Sequence, residues 1–583
     1  MKKIIIALCL FLCLTSVFSI SVFSEGTVSG DCGNEGSSVV WSFDKGSGEL
    51  LISGSGSMKN WSQLATSGDT AAPWRAYASS ITSARVEGDI TLGSYTFSTL
   101  KKLKSVTLDN GIRSLPVGAF YGCEALESVV LPSSLTEIEE KAFYGCKALG
   151  SVDLSASVAK IAADALYGCG GIKTITVDTE NNVFRSEANC LIEKTTATLL
   201  RGSCNGEIPE SVTAIAGGAF SGCSTLKTVV VPNTIRVMGY GAFANCTAIE
   251  SMQLPFVGDR RVMADGSVDG MSDTDATARE KINGRLAYLF GESAVPTTVK
   301  SIVITDCETL EAEALVNCSN LTSLILPGGL KQIKDGALFG CSTLKEISLP
   351  SELVSIGKAA FASCTALEMI ALPDKVSSVG ETAFFGCVSL TKVSFGSAIE
   401  ELGEGAFYSC PALEELSVSA DNVKYYSESN CVVERESKML VIGCKNSVIP
   451  SDVLVIGVGA FRNCNGLKSV IFPEGLTEIK AYAFENCIGL TELTFPSSLR
   501  TIGDYAFAEC TGIITVQAPS GILYGESVFK NCISMQSDNM PIIDRVEDMI
   551  GCGAAFELWL CLIALVAIAA VGAVIFFASK KRK

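Results

Sequence analysis

Histidine is missing from all 583 residues. That single absence removes Ser-His-Asp and Cys-His nucleophile systems, HExxH zinc sites and histidine proton relays. No Cys-x-x-Cys pair occurs, so tetrahedral zinc sites lack their usual ligand spacing. Charge is scarce at 18%, and 45 Lys+Arg against 62 Asp+Glu leave a net of -17, which argues against nucleic acid as a partner. Glycine-rich stretches such as Gly46-Ser47-Gly48 carry no GKS or GKT, so no phosphate loop follows them. The carboxylates scatter through turns without a convergent pair. No catalytic residue, cofactor or metal ligand is therefore assigned. What is plentiful is apolar material, 48% of the chain, which rules out a disordered polyelectrolyte.

The two ends are read as addresses. Lys2 and Lys3 precede an apolar run from Ile4 to Leu14, and Val22-Phe23-Ser24 offers a cleavage point, so residues 1–24 are expected to be a signal peptide. From Leu558 to Ser579 there are 22 uncharged residues, enough to cross a hydrocarbon core of about 30 Å. Lys580, Lys581, Arg582 and Lys583 follow at once. The positive-inside rule then makes 558–579 a transmembrane helix with 580–583 as a cytoplasmic basic tail. Residues 534–557 are a juxtamembrane linker. The expected location is the cell surface, as a single-pass protein whose N-terminal region is extracellular; the alternative for the C-terminal run is a buried core helix.

Between these ends an internal repeat dominates. Cysteines three residues after a Phe or Leu stand at Cys123, Cys146, Cys169, Cys223, Cys246, Cys318, Cys341, Cys364, Cys387, Cys410, Cys464, Cys487, Cys510 and Cys532. Most are spaced by 23, the mark of a solenoid whose units bury apolar faces only against one another. In each unit a segment such as Leu126-x-x-Val129-x-Leu131 reads as a strand with Val129 and Leu131 inward. Pro132 ends it, since a missing N–H would break the ladder. The Ala-Phe pair before each cysteine is expected to form a short helical or 3₁₀ turn, with the ring filling the interior.

The stretch Ala119 to Cys146, AFYGCEALESVVLPSSLTEIEEKAFYGC, resembles the BspA-like leucine-rich repeat family of surface proteins, and the match runs over roughly residues 81–533. The resemblance implies an α/β-type repeat solenoid, mostly β and right-handed, with a parallel sheet on its concave face. It also implies adhesion or protein binding outside the cell, with an extracellular protein, matrix or glycan ligand as partner, and no nucleic acid. A structural surface coat or scaffold is the main alternative; a glycan-binding or hydrolytic surface protein is the lesser one.

Two insertions, near 180–205 and 421–445, are copies of each other and read as two-stranded hairpins protruding from the solenoid. A longer insertion, near 255–298, contains the acidic run Asp265–Asp275, read as a solvated loop with calcium binding as the alternative. Residues 25–80 lack the period and are read as an N-terminal β cap, a carbohydrate-binding module being the alternative.

The ladder cysteines, among them Cys123, Cys146, Cys341, Cys364, Cys387 and Cys487, occupy one repeated interior slot and are expected to be buried free thiols. The candidate binding surface is the outward column set on the concave sheet, namely Ser323, Ile325, Ser348, Ala371, Ser394 and Ser417. Small hydroxyl and apolar residues suit distributed contacts, and equally suit strands for their own sake.

Overall fold

The computed structural model describes residues 26–63, 68, 70–205, 207–268 and 283–535. The expected signal peptide, transmembrane run and basic tail lie outside the described residues, as do the linker beyond 535 and Asp269–Asp275. Among the described residues no helix is long and apolar enough to cross a membrane. The chain forms a mostly β repeat solenoid in two compact units, one of Met1–Met252 with Ala287–Thr298 and one of Gln253–Leu286 with Val299–Lys583.

Each coil has three sides, visible in the stretch between Cys123 and Cys146. A long strand, Ser128–Val130, is followed by a two-residue strand, Glu137–Ile138, and then by the turn that carries Ala142, Phe143 and Cys146. Corresponding strands pair in parallel, with Ser105–Leu108 on Ser128–Val130 and Glu137–Ile138 between Ser114–Leu115 and Lys160–Ile161. The strand residues alternate in burial because successive side chains point to opposite faces. In Ser105–Leu108, for example, Val106 and Leu108 are buried and Ser105 and Thr107 exposed. The proline sets the corner after the long strand: the carbonyl of Pro132 accepts from Leu135 N–H at 3.1 Å, and Pro373 does the same for Val376 at 3.0 Å.

The Ala-Phe turn is not helical. Its ends hold left-handed residues, Gly118 (φ 62) and Gly122 (φ 68) in one coil, Ala359 (φ 52) and Ser363 (φ 61) in another. A right-handed turn cannot pass through such residues, which is the reason the expected 3₁₀ segment is absent. It also explains why Gly or Asn so often precedes the cysteine. The phenylalanines stack from coil to coil, Phe361 on Phe384 and Phe384 on Phe407, each at 5.0 Å between centroids. Neighbouring turns are stitched by backbone bonds such as Phe120 N–H to Ala142 O at 2.7 Å.

In the first unit an antiparallel meander, Thr27–Asp31, Val40–Asp44 and Glu49–Ser53, continues into the long-strand sheet through the parallel pair with Ser83–Glu87. Trp41, Trp61 and Trp74 are buried, and Trp74 lies 6.0 Å from each of the other two rings. These indoles fill the end of the core, so they offer no exposed platform for a sugar.

The paired insertions differ from the protruding two-stranded hairpins expected. Each has three strands: Phe184–Glu187, Cys190–Glu193 and Thr198–Arg201 in the first, Tyr425–Glu428, Cys431–Glu434 and Met439–Ile442 in the second. The third strand joins the short-strand ladder in parallel, Thr198 opposite Ala214 and Met439 opposite Val455. Cys190, Leu191 and Ile192 are all fully buried, as are Cys431, Val432 and Val433. A strand apolar on both faces has to be covered on both, which draws the insertion into the wall instead of leaving it in solvent.

Candidate functional site

The long-strand face is interrupted twice in the second unit, at Glu346–Ser348 and at Ser469–Ile471, where no strand forms; the first of these is lined by a cleft. Ser323–Ile325 pairs with Ser301–Ile304, and Met369–Ala371 pairs with Lys392–Phe395. The coil between them should present Glu346–Ser348 as the intervening strand. That segment forms no backbone hydrogen bond to either side, although its approach is regular, with Glu368 N–H on Lys345 O at 2.9 Å. The facing edges of Ser323–Ile325 and Met369–Ala371 are thereby left without ladder partners, a state that strand edges normally avoid.

A cleft of about 790 Å³ lies along this gap. Its lining includes Ser323, Ile325, Ser348 and Ala371, four of the six residues singled out from the sequence. All four are exposed, and Ile325 and Met369 each show 56% of their surface. Ile347 and Leu349, which by alternation belong inside, are half-buried, whereas their counterparts Ile370 and Leu372 are buried. The floor is therefore apolar. Glu346 is the one charged side chain in the lining. Nothing in Lys345-Glu346-Ile347-Ser348-Leu349 distinguishes it from the regular coils, so no sequence signal pointed to the gap.

Ser394 and Ser417 sit elsewhere. They face each other on the paired strands Lys392–Phe395 and Glu415–Val418, where both are half-buried beside the Lys392–Glu415 ion pair at 2.7 Å. That part of the face is a closed ladder.

The six cysteines named above are buried and free. Their sulfurs point to a common acceptor, the carbonyl of the residue 26 positions earlier. Cys123 donates to Phe97 O at 2.9 Å and Cys146 to Phe120 O at 3.2 Å. Cys341, Cys364, Cys387 and Cys487 do the same with Leu315, Leu338, Phe361 and Phe461 at 3.0 to 3.3 Å. A small apolar residue with one weak donor suits a dry slot that holds a carbonyl. Burial pushes the thiols of Cys123 and Cys364 up to about 12, and those of Cys146, Cys341, Cys387 and Cys487 upward as well. They are protonated at neutral pH and so are poor nucleophiles.

One ladder cysteine departs from this pattern. Cys223 forms a disulfide with Cys204 of the first insertion, across 19 residues. The free-thiol expectation fails there because the turn after the insertion's third strand brings a second cysteine to the slot, at a Cα separation of 5.0 Å. Repeat spacing alone carried no information about that partner.

The family described as BspA type Leucine rich repeat region (6 copies) matches residues 76–193, 204–258, 297–432 and 441–549. Among solved structures, a leucine-rich repeat protein from Eubacterium ventriosum is 18% identical, with 58% of this chain and 95% of that one covered and a TM-score of 0.37. One from Bacteroides ovatus is also 18% identical over 85% and 91%, with a TM-score of 0.33. A leucine rich cell surface protein from Faecalibacterium prausnitzii is 19% identical over 67% and 96%, with a TM-score of 0.23. No curated protein matches.

Proposed function

The chain belongs to the BspA type leucine-rich repeat family, and from that premise we propose that it is a membrane-anchored surface protein that holds an extracellular protein partner in the cleft at Glu346–Ser348. The observation that carries this reading is the pair of unpaired strand edges flanking an apolar floor. An extended segment of a partner would supply the missing backbone bonds, and side chains above Ile347 and Leu349 would supply apolar contact. Small neighbours such as Ser323, Ser348 and Ala371 leave the backbone accessible. The single carboxylate, Glu346, favours a partner with a basic or neutral side chain at that point. The uncharged run Leu558–Ser579 with its basic tail supplies the anchor, and cleavage after Ser24 puts the solenoid outside the cell.

The test is a binding screen of the surface-displayed protein against host and matrix proteins and glycans, with Ser323, Ile325, Ser348 and Ala371 replaced together by Lys. Loss of binding by a variant that still melts cooperatively supports the cleft. Binding that survives the lysines but vanishes when residues 181–204 and 421–444 are removed moves the contact to the insertions. A glycan as the only ligand replaces the extended-peptide reading. If no change alters any measured contact, the coat or scaffold reading stands in its place. Added protease on intact cells should release nearly the whole chain; full protection contradicts the anchored topology.

A further inference from the structure

The two insertions align residue for residue at an offset of 241, so Cys410 matches Cys169, Ile442 matches Arg201, Gly443 matches Gly202, Gly459 matches Gly218 and Arg462 matches Ser221. In uninterrupted coils the bonds from each turn to the next include two from its interior ring position and the position before its cysteine, as when Phe143 N–H reaches Ala165 O and Gly145 N–H reaches Tyr167 O, both at 2.8 Å. Where an insertion intervenes, its third strand slides between the turns and takes over the first of these bonds. Gly202 N–H meets Ala219 O at 2.9 Å, and Gly443 N–H meets Ala460 O at 2.8 Å. A glycine is needed because a Cβ there would fall 2.1 Å from the ring of Phe220 or 2.0 Å from that of Phe461.

The second bond is where the copies part. In the first insertion the fully buried guanidinium of Arg201 does the stitching: Nη1 donates to Ser221 O at 3.0 Å and Gly218 O at 3.2 Å, and Nη2 to Cys169 O at 2.5 Å. In the second, Ile442 offers no donor. Among the described residues the carbonyl of Arg462 receives no hydrogen bond, and those of Gly459 and Cys410 keep only the N–H groups of Arg462 and Leu413. A cavity of about 320 Å³ opens there, lined by Ile442, Cys410, Gly459 and Arg462. That is far above the roughly 15 Å³ a single water needs. Glu404 and Glu434 add carboxylates to the lining, as Lys480 adds an ammonium. The guanidinium of Arg462 is already engaged, paired with Glu485 and 4.9 Å from the centre of the Tyr482 ring.

We propose that this cavity is a binding site for a guanidinium group, which would donate to the carbonyls of Cys410, Gly459 and Arg462 as Arg201 does to their counterparts. The site is a set of acceptors arranged for a planar fork of N–H donors, with the fork removed by one substitution. Its occupant is a small guanidinium compound or the arginine side chain of a partner. It is independent of the cleft at Glu346–Ser348.

Calorimetric titration of the full-length protein with methylguanidinium, against tetramethylammonium at equal ionic strength, reads the proposal directly. One saturable equivalent is expected for the wild type, none for Ile442→Arg, and two for Arg201→Ile, which empties the first copy. Circular dichroism identifies a variant that fails to fold, in which case the other variant decides. N-acetyl-arginine amide as competitor separates the sources: displacement shows that a peptide side chain enters, and failure to displace restricts the site to small guanidinium compounds. Absence of saturable binding by the wild type overturns the proposal, as does binding unchanged in Ile442→Arg.

Discussion

The insertions that follow Cys169 and Cys410 were built from one pattern and closed in two ways. Both open with a buried asparagine that ties the insertion to the preceding coil: Asn181 Nδ2 reaches Val158 O at 2.8 Å, and Asn422 Nδ2 reaches Ile399 O at 3.0 Å. In both, the side-chain oxygen of that asparagine accepts from the start of the first strand, at Phe184 and Tyr425 N–H. Beyond this the first copy is sealed by Arg201 and by the Cys204–Cys223 disulfide. The second has Ile442 in place of the arginine and Lys445 in place of the half-cystine. Lys445 turns to Glu414 at 2.6 Å and leaves Cys464 a free thiol. The lesson is that the strand pattern is enough to build the insertion, while its sealing rests on two or three polar side chains that can be exchanged without altering the strands.

The largest effect should come from the ring beneath each insertion. Phe220→Ala should destabilise by about 3 to 5 kcal/mol, as for other buried aromatic truncations. Phe461→Ala should cost about 1 kcal/mol less, because Phe461 already borders the cavity. Chemical denaturation followed by circular dichroism measures both; equal losses would mean the cavity is filled by repacking and the contrast is only apparent.

Next is the covalent closure. Cys204→Ser should cost about 3 kcal/mol, the loop-closure value for a link of this length. Lys445→Ser, at the matching position, should cost under about 1 kcal/mol, because it loses only a partly exposed ion pair. A reductant should likewise lower the melting temperature of the wild type but leave Cys204→Ser unmoved. If the two substitutions cost the same, the disulfide is not what distinguishes the copies.

The smallest effect is on alkaline stability. Burial raises the Cys464 thiol to about 12, while an unfolded cysteine titrates near 9. Between those values the unfolded chain holds fewer protons than the folded one, so stability falls as pH rises through that window. Cys464 should contribute about 1 kcal/mol of loss by pH 10, and Cys464→Ala should remove that share from the measured slope. Cys223, held in the disulfide, has no such share. An unchanged slope in Cys464→Ala would place the alkaline sensitivity elsewhere.

Much of this molecule could be read before any coordinates. The cysteine spacing located each coil, the LxxLxL segments located the long strands, and the doubled Asn-Cys patterns located the insertions. Those features repeat, and a repeat is legible because each unit must bury the same face against the next. The recurring Gly and Asn also signal the left-handed residues beside the Ala-Phe pairs, and it is these that exclude the helical turn the pairs themselves suggest. In the candidate site, the residue columns were legible but the gap was not. Ser348 belongs to a coil with ordinary sequence, and Ser394, from the same column, ended up half-buried in a closed ladder.

Periodicity by itself determined the solenoid, the interior slot for cysteine and phenylalanine, and the positions where extra strands enter, since each follows from spacing along one chain. Only the tertiary structure decided that Cys223 pairs with Cys204, that Arg201 seals one insertion while Ile442 leaves the other open, and that Glu346–Ser348 stands free of both neighbours. Each of these depends on which groups meet across adjacent coils, and on whether a donor reaches a carbonyl tens of residues away. Such meetings are set by packing in three dimensions, where a single exchanged side chain changes the outcome and the repeat itself is left untouched.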